Sequence, residues 1–386
     1  MPKNIVICCD GTDNMLTLRS NTNIVHLYCC LKKSVDQVTY YNPGVGTLVE
    51  REKKSWVSRN WSRLKDLAFA NTLHERVLDS YKFLMNTYEK GDSVFLFGFS
   101  RGAYTVRMLS GLLEMYGLLY KGNESHLNYI LELYCKEAVT EKFSVNDSSR
   151  ENKEFLEICK LASKFRANFA RDIEIQFMGI WDTVVSVGTM FGIYKAFPFT
   201  RKLGIVKTVR HALAIDERRK HYRYFPISKD HIDGNEVWFA GVHSDVGGSY
   251  FEEGLSKITL EYMLGEATKC GLIVTKEKVD RNLYGINSDY MPPDFKGVIH
   301  NSLTFGFKII DCIPRVRFKP NGSLINFWID WRLWPLRSIK EGAIIHESVK
   351  AKINLSSSKK YSPANIPELA KCKIISSQKI TYLGSL

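Results

Sequence analysis

Long hydrophobic runs are missing from the sequence. No stretch reaches about 18 consecutive apolar residues, so no transmembrane helix is predicted. Residues 1–12 carry one lysine and a short apolar run that ends at Asp10, and they lack the longer apolar region and cleavage site of a secretory leader. We therefore expect a protein that is cytoplasmic as synthesised, with export by a route that needs no cleaved leader left open.

Motifs built on cysteine are also missing, although the chain has nine cysteines. No Cys-x-x-Cys pair occurs, and no spacing of cysteine and histidine is typical of a zinc site. The adjacent pairs Cys8–Cys9 and Cys29–Cys30 lie in apolar segments, which predicts free thiols in a reducing compartment. We expect neither a bound metal ion nor an organic cofactor.

Internal repeats and long proline- or serine-rich linkers do not occur either, which favours a single domain over residues 1–386. In the first half of the chain, short apolar runs typical of strands alternate with segments of helical spacing. The predicted strands are residues 5–9, 38–42, 93–97, 173–180 and 237–242, and the predicted helices are residues 23–32, 61–89, 103–119 and 211–219. Strands joined by helices imply a mainly parallel sheet with helices on both faces.

Two parts of the chain depart from this alternation. Residues 121–172 are more charged, and we interpret them as a helical insertion that lies above the sheet and over the site. Residues 275–386 show the least regular pattern. We interpret them as a C-terminal extension that serves either as a lid or as a membrane contact.

Basic residues outnumber acidic ones, and the formal net charge is +13. The excess is clustered, with six cations and one anion in residues 51–65 and eight cations and two anions in residues 201–223. Such patches attract polyanions, either nucleic acid or an anionic membrane surface, or they serve only to keep a face solvated. Since no recognisable nucleic-acid-binding motif accompanies them, we do not expect a nucleic-acid partner.

The strongest motif is G-F-S-R-G at residues 98–102, which fits the G-x-S-x-G pattern of a nucleophile elbow. The elbow requires a buried strand before it and a helix after it, and both are predicted here. A serine on such a tight turn needs neighbours without side chains two residues to either side. The motif predicts that Ser100 is a nucleophile and that the backbone N–H of Arg101 stabilises an oxyanion.

A serine nucleophile needs a base, and the base needs a carboxylate to orient it. In α/β-hydrolases the acid and the histidine follow the serine in chain order, each at the end of a strand. Asp182 and His243 occupy such positions, so we predict the triad Ser100, Asp182 and His243. The competing candidates are Asp245 as the acid and His211 or His346 as the base.

The first predicted turn, D-G-T at residues 10–12, supplies further candidates. The loop after an early strand gives the second oxyanion donor of an α/β-hydrolase, so the N–H groups of Gly11 and Thr12 are candidates and Asp10 is an accessory residue. Haloacid-dehalogenase phosphatases also carry an Asp-Gly-Thr strand end. Aligned on it, their nucleophilic aspartate falls on Cys8, which disfavours that chemistry here.

Seven short motifs between residues 4 and 250 are specific when taken together. They are DGT at 10–12, NTN at 21–23, GVGT at 44–47, GFSRGAY at 98–104, WDTV at 181–184, HALAIDE at 211–217 and GVHSDVGG at 241–248. This set resembles the α/β-hydrolase family that includes the catalytic domains of type VI secretion phospholipase effectors of bacteria. The resemblance implies a serine hydrolase of esters, with phospholipid as the leading substrate class. Val185 and Ala240 stand where members often carry glycine and proline, which concerns loop shape and substrate fit.

Two aromatic segments could bring a lipase to a bilayer. Residues 188–199 are apolar and precede basic residues, and residues 324–336 are rich in tryptophan with Arg332 and Arg337 nearby. Both patterns favour peripheral contact with an anionic membrane, and the alternative is a buried lid or an ordinary core helix. The residues predicted to dock are Phe191, Tyr194, Phe197, Arg201, Lys202 and Lys207.

The sequence therefore predicts a serine hydrolase that cleaves carboxylic esters through an acyl-enzyme, as a phospholipase or lipase acting on membrane lipids. The alternative is a catalytically inactive or non-lipid α/β-hydrolase that binds a membrane surface or a protein partner. The pattern leaves the natural ester and the oligomeric state open.

Overall fold

Within the residues that it describes, the computed structural model has a central sheet of eight parallel strands. The described residues are 2–11, 17, 20–44, 61–136, 139–140, 151–184, 195–303, 315–318, 327–330, 333–355 and 361–382. The strands are β1 (Asn4–Cys9), β2 (Gln37–Asn42), β3 (Ser93–Phe99), β4 (Leu118–Leu119), β5 (Val139–Thr140), β6 (Ala170–Arg171), β7 (Ile175–Trp181), β8 (Lys195–Ala196), β9 (Val206–Ala214), β10 (Gly234–Phe239), β11 (Arg315–Phe318), β12 (Phe327–Asp330), β13 (Ile344–His346) and β14 (Lys373–Ile375). The helices are α1 (Asn23–Cys30), α2 (Trp61–Thr87), α3 (Arg101–Tyr116), α4 (Leu127–Lys136), α5 (Glu151–Phe169), α6 (His243–Gly247), α7 (Gly254–Lys269), α8 (Lys276–Asn282) and α9 (Glu347–Ile353). Short 3₁₀ turns cover Glu124–His126, Lys220–Tyr222 and Leu369–Lys371.

The strand order of the large sheet is β14-β13-β10-β9-β7-β3-β1-β2, and every neighbouring pair is parallel. From β1 the chain steps to one side for β2 and to the other side for β3, so the strand order reverses at β1. In open parallel sheets, ligands bind outside the carboxyl ends of the strands near such a reversal. The predicted fold class, an α/β-hydrolase-like sheet flanked by helices, is confirmed.

Helices cover the sheet on both faces because its strands alternate apolar side chains between the two sides. In β1, Ile5 and Ile7 pack into the core cluster shared with α2 and α3, whereas Val6 and Cys8 pack into the cluster shared with α1 and α7. All four of these side chains are fully buried. The sheet is therefore a rigid platform whose strand ends hold the loops that follow them.

Residues 121–172, which we interpret as an insertion, include the helices α4 and α5. Its base is an antiparallel pair, β4 with β6, in which Leu118 faces Arg171 and Leu119 faces Ala170. The α4 side chains Ile130 and Tyr134 are fully buried in the same core cluster as α2 and α3. The excursion thus packs against the helical layer on that face of the sheet.

The helix predicted for residues 211–219 is wrong, because residues 206–214 form β9 in the middle of the sheet. Alanine and leucine favour a helix locally, but the position between β7 and β10 buries this segment on both faces and overrides that preference. The predicted C-terminal extension contains two sheet strands, since β13 and β14 extend the sheet beyond β10.

Among the residues that the structure describes, no helix is both long enough and apolar enough to cross a bilayer.

Candidate active site

Ser100 stands between β3 and α3 with a backbone conformation that non-glycine residues rarely adopt, φ 57° and ψ −118°. Its N–H donates to the carbonyl of Trp181 at 3.0 Å, and its carbonyl accepts from the N–H of Val184 at 3.4 Å. These two bonds tie the turn to the end of β7. Strained backbone held in this way is typical of catalytic turns.

The two glycines of the elbow are required by close backbone contacts. A Cβ on Gly98 would lie 2.5 Å from the carbonyl oxygen of Gly102, and a Cβ on Gly102 would collide with the carbonyl oxygens of Cys9 and Asp10. The start of α3 therefore lies directly against β1 and β3. Only glycine at both positions permits the sharp turn that presents Ser100.

His243 and Asp182 meet above the carboxyl ends of the strands. The Nδ1 of His243 donates to Oδ2 of Asp182 at 2.6 Å, and both side chains are buried. Asp182 follows β7, whose last residue Trp181 pairs with Phe99 at the end of β3. Asp182 therefore follows the strand next to the one that precedes Ser100, and it has a positive φ of 39°.

The imidazole of His243 also lies beside the elbow itself. Its ring centroid is 4.7 Å from that of Phe99, the residue before Ser100, and 4.8 Å from that of Tyr222. The backbone N–H of His243 donates to Oε2 of the buried Glu217 at 3.2 Å. With Nδ1 bonded to Asp182, Nε2 is the nitrogen that can exchange a proton with a serine hydroxyl.

Arg337 completes the surroundings of Asp182, and the sequence interpretation missed it. Its Nη1 donates to Oδ1 of Asp182 at 2.5 Å and its Nη2 donates to Oδ2 at 2.9 Å. The residue is only 7% exposed, so Arg337 is a buried ion-pair partner and not a surface cation beside the aromatic segment 324–336. An arginine within a basic, tryptophan-rich stretch carries no sequence signal that distinguishes a buried partner from a surface cation.

Burial and charge act in opposite directions on the Asp182–His243 pair. Burial alone would raise the pKa of Asp182, but the nearby Arg337 and the hydrogen bond from His243 outweigh it and hold that pKa far below its ordinary value. Burial lowers the pKa of His243, which Asp182 opposes. Near neutral pH the pair is therefore an ionised carboxylate beside a neutral imidazole, the state that a general base requires.

Asp245, the competing acid, bonds elsewhere. Its Oδ1 accepts from Nδ1 of His300 at 2.5 Å, and its Oδ2 accepts from the backbone N–H of Val242 at 2.9 Å. The structure thus brings Asp182 to the ring of His243, while Asp245 fixes the loop that carries this histidine.

The two competing bases are also engaged away from Ser100. Nε2 of His211 accepts from the N–H of Thr183 at 3.1 Å, and its Nδ1 donates to Oε1 of Glu236 at 2.9 Å, so this ring braces the turn beside the acid. Nε2 of His346 lies 3.1 Å from Oγ of Ser377 at the far side of β10.

The first turn is organised by the carboxylate of Asp10. It accepts hydrogen bonds from the hydroxyls of Thr22 and Tyr41, both at 2.8 Å, and from the N–H of Gly11 at 2.7 Å. Burial raises the pKa of Asp10 to about 6. The Gly11 amide is therefore already directed at Asp10, and Thr12 lies outside the described residues.

The predicted membrane-docking residues separate into different environments. Phe197 is buried, with its ring stacked on Tyr134 at 5.7 Å, so it belongs to the core rather than to a membrane-facing lip. Phe191, Tyr194 and Arg332 lie outside the described residues. The side chains of Arg201, Lys202 and Lys207 are exposed.

Within the part of the chain that the structure describes, no group of three or more histidine, cysteine, aspartate and glutamate side chains is arranged to hold a metal ion.

Comparisons with known proteins concern the same part of the chain. A family model described as "T6SS, Phospholipase effector Tle1-like, catalytic domain" matches residues 3–266. An uncharacterized protein of Saccharomyces cerevisiae is 35% identical over 230 residues, which is 57% of this chain and 32% of that protein.

Two solved structures show lower similarity. One is an uncharacterized protein from Pseudomonas aeruginosa, with a TM-score of 0.39 and 18% identity over 76% of this chain and 49% of that chain. The other is the Tle1 effector bound to the VgrG spike of the type VI secretion system, with a TM-score of 0.34 and 17% identity over 64% of this chain and 51% of that chain. This chain spans 32% of the length of the yeast relative and about half of each solved chain.

The family match extends over more than half of the chain and includes the elbow, Asp182 and His243. The chain therefore belongs to the family of Tle1-like phospholipase effector catalytic domains, a family of lipid hydrolases.

Proposed function

We propose that this protein hydrolyses carboxylic esters of phospholipids through an acyl-enzyme formed on Ser100. The observation that carries the proposal is the 2.6 Å hydrogen bond between Nδ1 of His243 and Asp182. The His243 ring lies 4.7 Å from that of Phe99, the residue before a serine on a strained strand-to-helix turn. This combination supplies a nucleophile, a base and a group that orients the base.

In the first half of the reaction, Oγ of Ser100 attacks the ester carbonyl carbon and its proton passes to Nε2 of His243. The ester C–O bond then breaks, and the same proton goes to the leaving alcohol oxygen. In the second half, water attacks the acyl-enzyme, His243 accepts the water proton and returns it to Ser100, and the fatty acid leaves. Asp182 stays ionised throughout and stabilises the imidazolium that forms in each half.

The negative charge on the carbonyl oxygen needs donors that are already in position. The candidate for the first donor is the backbone N–H of Arg101, which begins α3 directly after Ser100. The field at the N-terminus of this 16-residue helix also favours an anion. Gly11 and Thr12 are the second-donor candidates, and Gly11 would serve only after its amide leaves Asp10.

The lipid class of the substrate follows from the family, and the basic character of the chain agrees with it. A net charge of +13 favours approach to anionic phospholipid surfaces. Arg201 and Lys202 are exposed and could contact such head groups. Lys207 lies at the start of β9, at the sheet edge opposite the strand ends that carry the site, and forms an ion pair with Glu174 at 3.0 Å, so it is not part of that contact. The core position of Phe197 removes one of the aromatic anchors from this surface.

A fluorophosphonate probe tests the nucleophile. We expect a single covalent label on Ser100 after peptide mapping, and no label on Ser100→Ala. Ser110→Ala is the matched control, because it removes a buried hydroxyl from the same helix without touching the elbow. Ser100→Ala should also lower kcat on a short-chain nitrophenyl ester by about 10³-fold or more with the fold intact.

A second assay tests the substrate class. Phospholipid vesicles incubated with the wild-type protein should release free fatty acid and the deacylated lipid, identified by mass spectrometry. A folded wild-type protein that neither takes the probe nor releases fatty acid would overturn the proposal and favour a binding protein on the same fold. Labelling of Ser100 with no release from phospholipid would keep the serine hydrolase and refute the lipid substrate.

A further inference from the structure

The acid of the proposed triad is held by a residue that lies outside the family match. The matched part ends at residue 266, and Arg337 is 155 residues away from Asp182 along the chain. The segment that carries it is anchored beside the strand ends by Ile339, which is buried in a core cluster with Ile215 after β9 and Trp238 of β10. A contact of this kind is not part of the motif set by which the family is recognised.

Arg337 donates hydrogen bonds to the Asp182 carboxylate from both terminal nitrogens. Its guanidinium is also held by hydrogen bonds to two backbone carbonyls. Nη1 also donates to the carbonyl of Ala214 at 2.9 Å, and Nη2 donates to the carbonyl of Tyr222 at 2.6 Å. The backbone carbonyl of Arg337 accepts from Nδ2 of Asn365 at 3.1 Å. The planar guanidinium therefore has one orientation, and it transmits that orientation to Asp182.

We propose that Arg337 is a positioning residue that fixes the Asp182 carboxylate toward His243 and supplies the positive charge that opposes protonation of this pair. The inference rests on the proposed serine hydrolase mechanism. It adds a residue whose guanidinium contacts Asp182 and two backbone carbonyls, so that its effect on the reaction passes through Asp182. Each oxygen of the carboxylate accepts from Arg337, so rotation of the acid away from the imidazole would break two charge-assisted hydrogen bonds.

The other charged groups around the pair are matched with partners of their own. Glu217, which binds the backbone of His243, forms an ion pair with Arg219 at 2.8 Å. On the opposite side, Nε2 of His211 accepts a hydrogen bond from the backbone N–H of Thr183, and its Nδ1 lies 2.9 Å from Oε1 of Glu236. Among the residues that the structure describes, Arg337 is thus the cation hydrogen-bonded to Asp182, and its removal should let the pair take up a proton at a higher pH.

The test compares Arg337→Met, Arg337→Lys and the control Arg210→Met. Arg210 is another buried arginine held by two carboxylates, Asp233 and Glu266, and it is remote from the triad. The first readout is the acid limb of the pH profile for kcat/KM on a soluble nitrophenyl ester. The second is the pH titration of the His243 ring by NMR, assigned from its loss in His243→Gln, which does not depend on turnover.

We expect Arg337→Met to move the acid limb and the His243 titration upward by about 1 pH unit, and to lower the plateau rate about 100-fold through misplacement of the acid. Arg337→Lys keeps the positive charge but loses the bidentate hydrogen bonding to the Asp182 carboxylate. It should hold both midpoints near those of the wild type while lowering the plateau about tenfold. Arg210→Met should lower the melting temperature and leave both midpoints unchanged.

A folded Arg337→Met variant with wild-type midpoints in both readouts would overturn the proposal. If that variant does not fold, Arg337→Lys decides, and a wild-type plateau rate in it would refute the positioning role. Absence of turnover and of probe labelling in the wild type would instead defeat the proposed function, and the NMR titration would still decide whether Arg337 controls the pair.

Discussion

Asparagine at position 182 is the most informative single change, because it removes one charge and leaves the shape almost the same. In the wild type, the Asp182 carboxylate accepts from His243, from both terminal nitrogens of Arg337 and from the backbone N–H of Ala214 at 3.1 Å. Asparagine keeps one acceptor oxygen and gains an NH₂ group that can only donate. If that NH₂ faces His243, the imidazole must turn to the tautomer that carries its proton on Nε2.

The loss of activity follows from this tautomer. An imidazole that already carries a proton on Nε2 cannot accept one from Ser100, so we expect kcat of Asp182→Asn on a soluble nitrophenyl ester to fall by about 10³–10⁴-fold. Asp245→Asn is the matched control, since Asp245 contacts His300 and the Val242 amide rather than the ring of His243. Its kcat should stay within about tenfold of the wild type.

The loss of stability follows from Arg337. Unit charges 2.9 Å apart attract by about 6 kcal/mol at an effective dielectric constant of about 20, and removal of one partner of a buried ion pair costs about 3–5 kcal/mol. We therefore expect Asp182→Asn to lower the free energy of unfolding by about 3–5 kcal/mol. The double variant Asp182→Asn with Arg337→Met removes the unpaired cation and should regain at least about 1 kcal/mol over the single variant.

Urea unfolding followed by circular dichroism measures these stabilities, and initial rates measure kcat. Loss of kcat in Asp245→Asn together with an active Asp182→Asn would show that the acid is misassigned. A double variant that is less stable than Asp182→Asn would show that Arg337 is not left as an uncompensated charge, and the ion-pair reasoning would fail.

Two further predictions concern residues outside the triad. Phe197→Ser should lower the free energy of unfolding by about 3 kcal/mol, because the ring is buried in the core. For the same reason it should slow the hydrolysis of vesicle lipid and of a soluble ester to the same extent. A loss of activity on vesicles alone would restore a membrane-contact role for Phe197. Burial lowers the pKa of His346 from 6.5 to about 4, so between these values the folded state binds fewer protons than the unfolded state, and stability falls as the pH drops. Between pH 7 and pH 5, the free energy of unfolding of His346→Gln, measured with urea, should therefore fall by about 2 kcal/mol less than that of the wild type. Equal falls in the two proteins would contradict the conclusion that His346 is buried in its neutral form.

The positions of Ser100, Asp182 and His243 at strand ends could be predicted from the sequence because each depends on local pattern. A buried strand, a G-x-S-x-G turn and a helix are neighbours along the chain, and their order fixes the turn that holds Ser100. Asp182 and His243 were predicted because each follows an apolar strand, and the carboxyl ends of parallel strands meet at one edge of a sheet. The family resemblance rested on the same local motifs, and the family match bears it out.

The helix predicted at residues 211–219 shows where local pattern misleads. Its alanines and leucine have the helical preference that a single-sequence interpretation uses. Their position between two paired strands decides otherwise, because a central strand of a parallel sheet is buried on both faces and tolerates a continuous apolar run. Phe197 is a similar case, since an aromatic residue in an apolar segment is equally compatible with a lip or a core.

Only the tertiary structure decided which charged groups meet at the site. Asp245 lies two residues from His243 in the sequence, yet Asp182, 61 residues away, reaches its ring, and Arg337 arrives from 155 residues beyond the acid. The reason is physical: sequence periodicity determines which face of a strand or helix is apolar, whereas the strand order of the sheet determines which loops become neighbours. The positions of Asp182 and His243 at strand ends therefore follow from the sequence. The charged residues that set the protonation of these two side chains follow only from the fold.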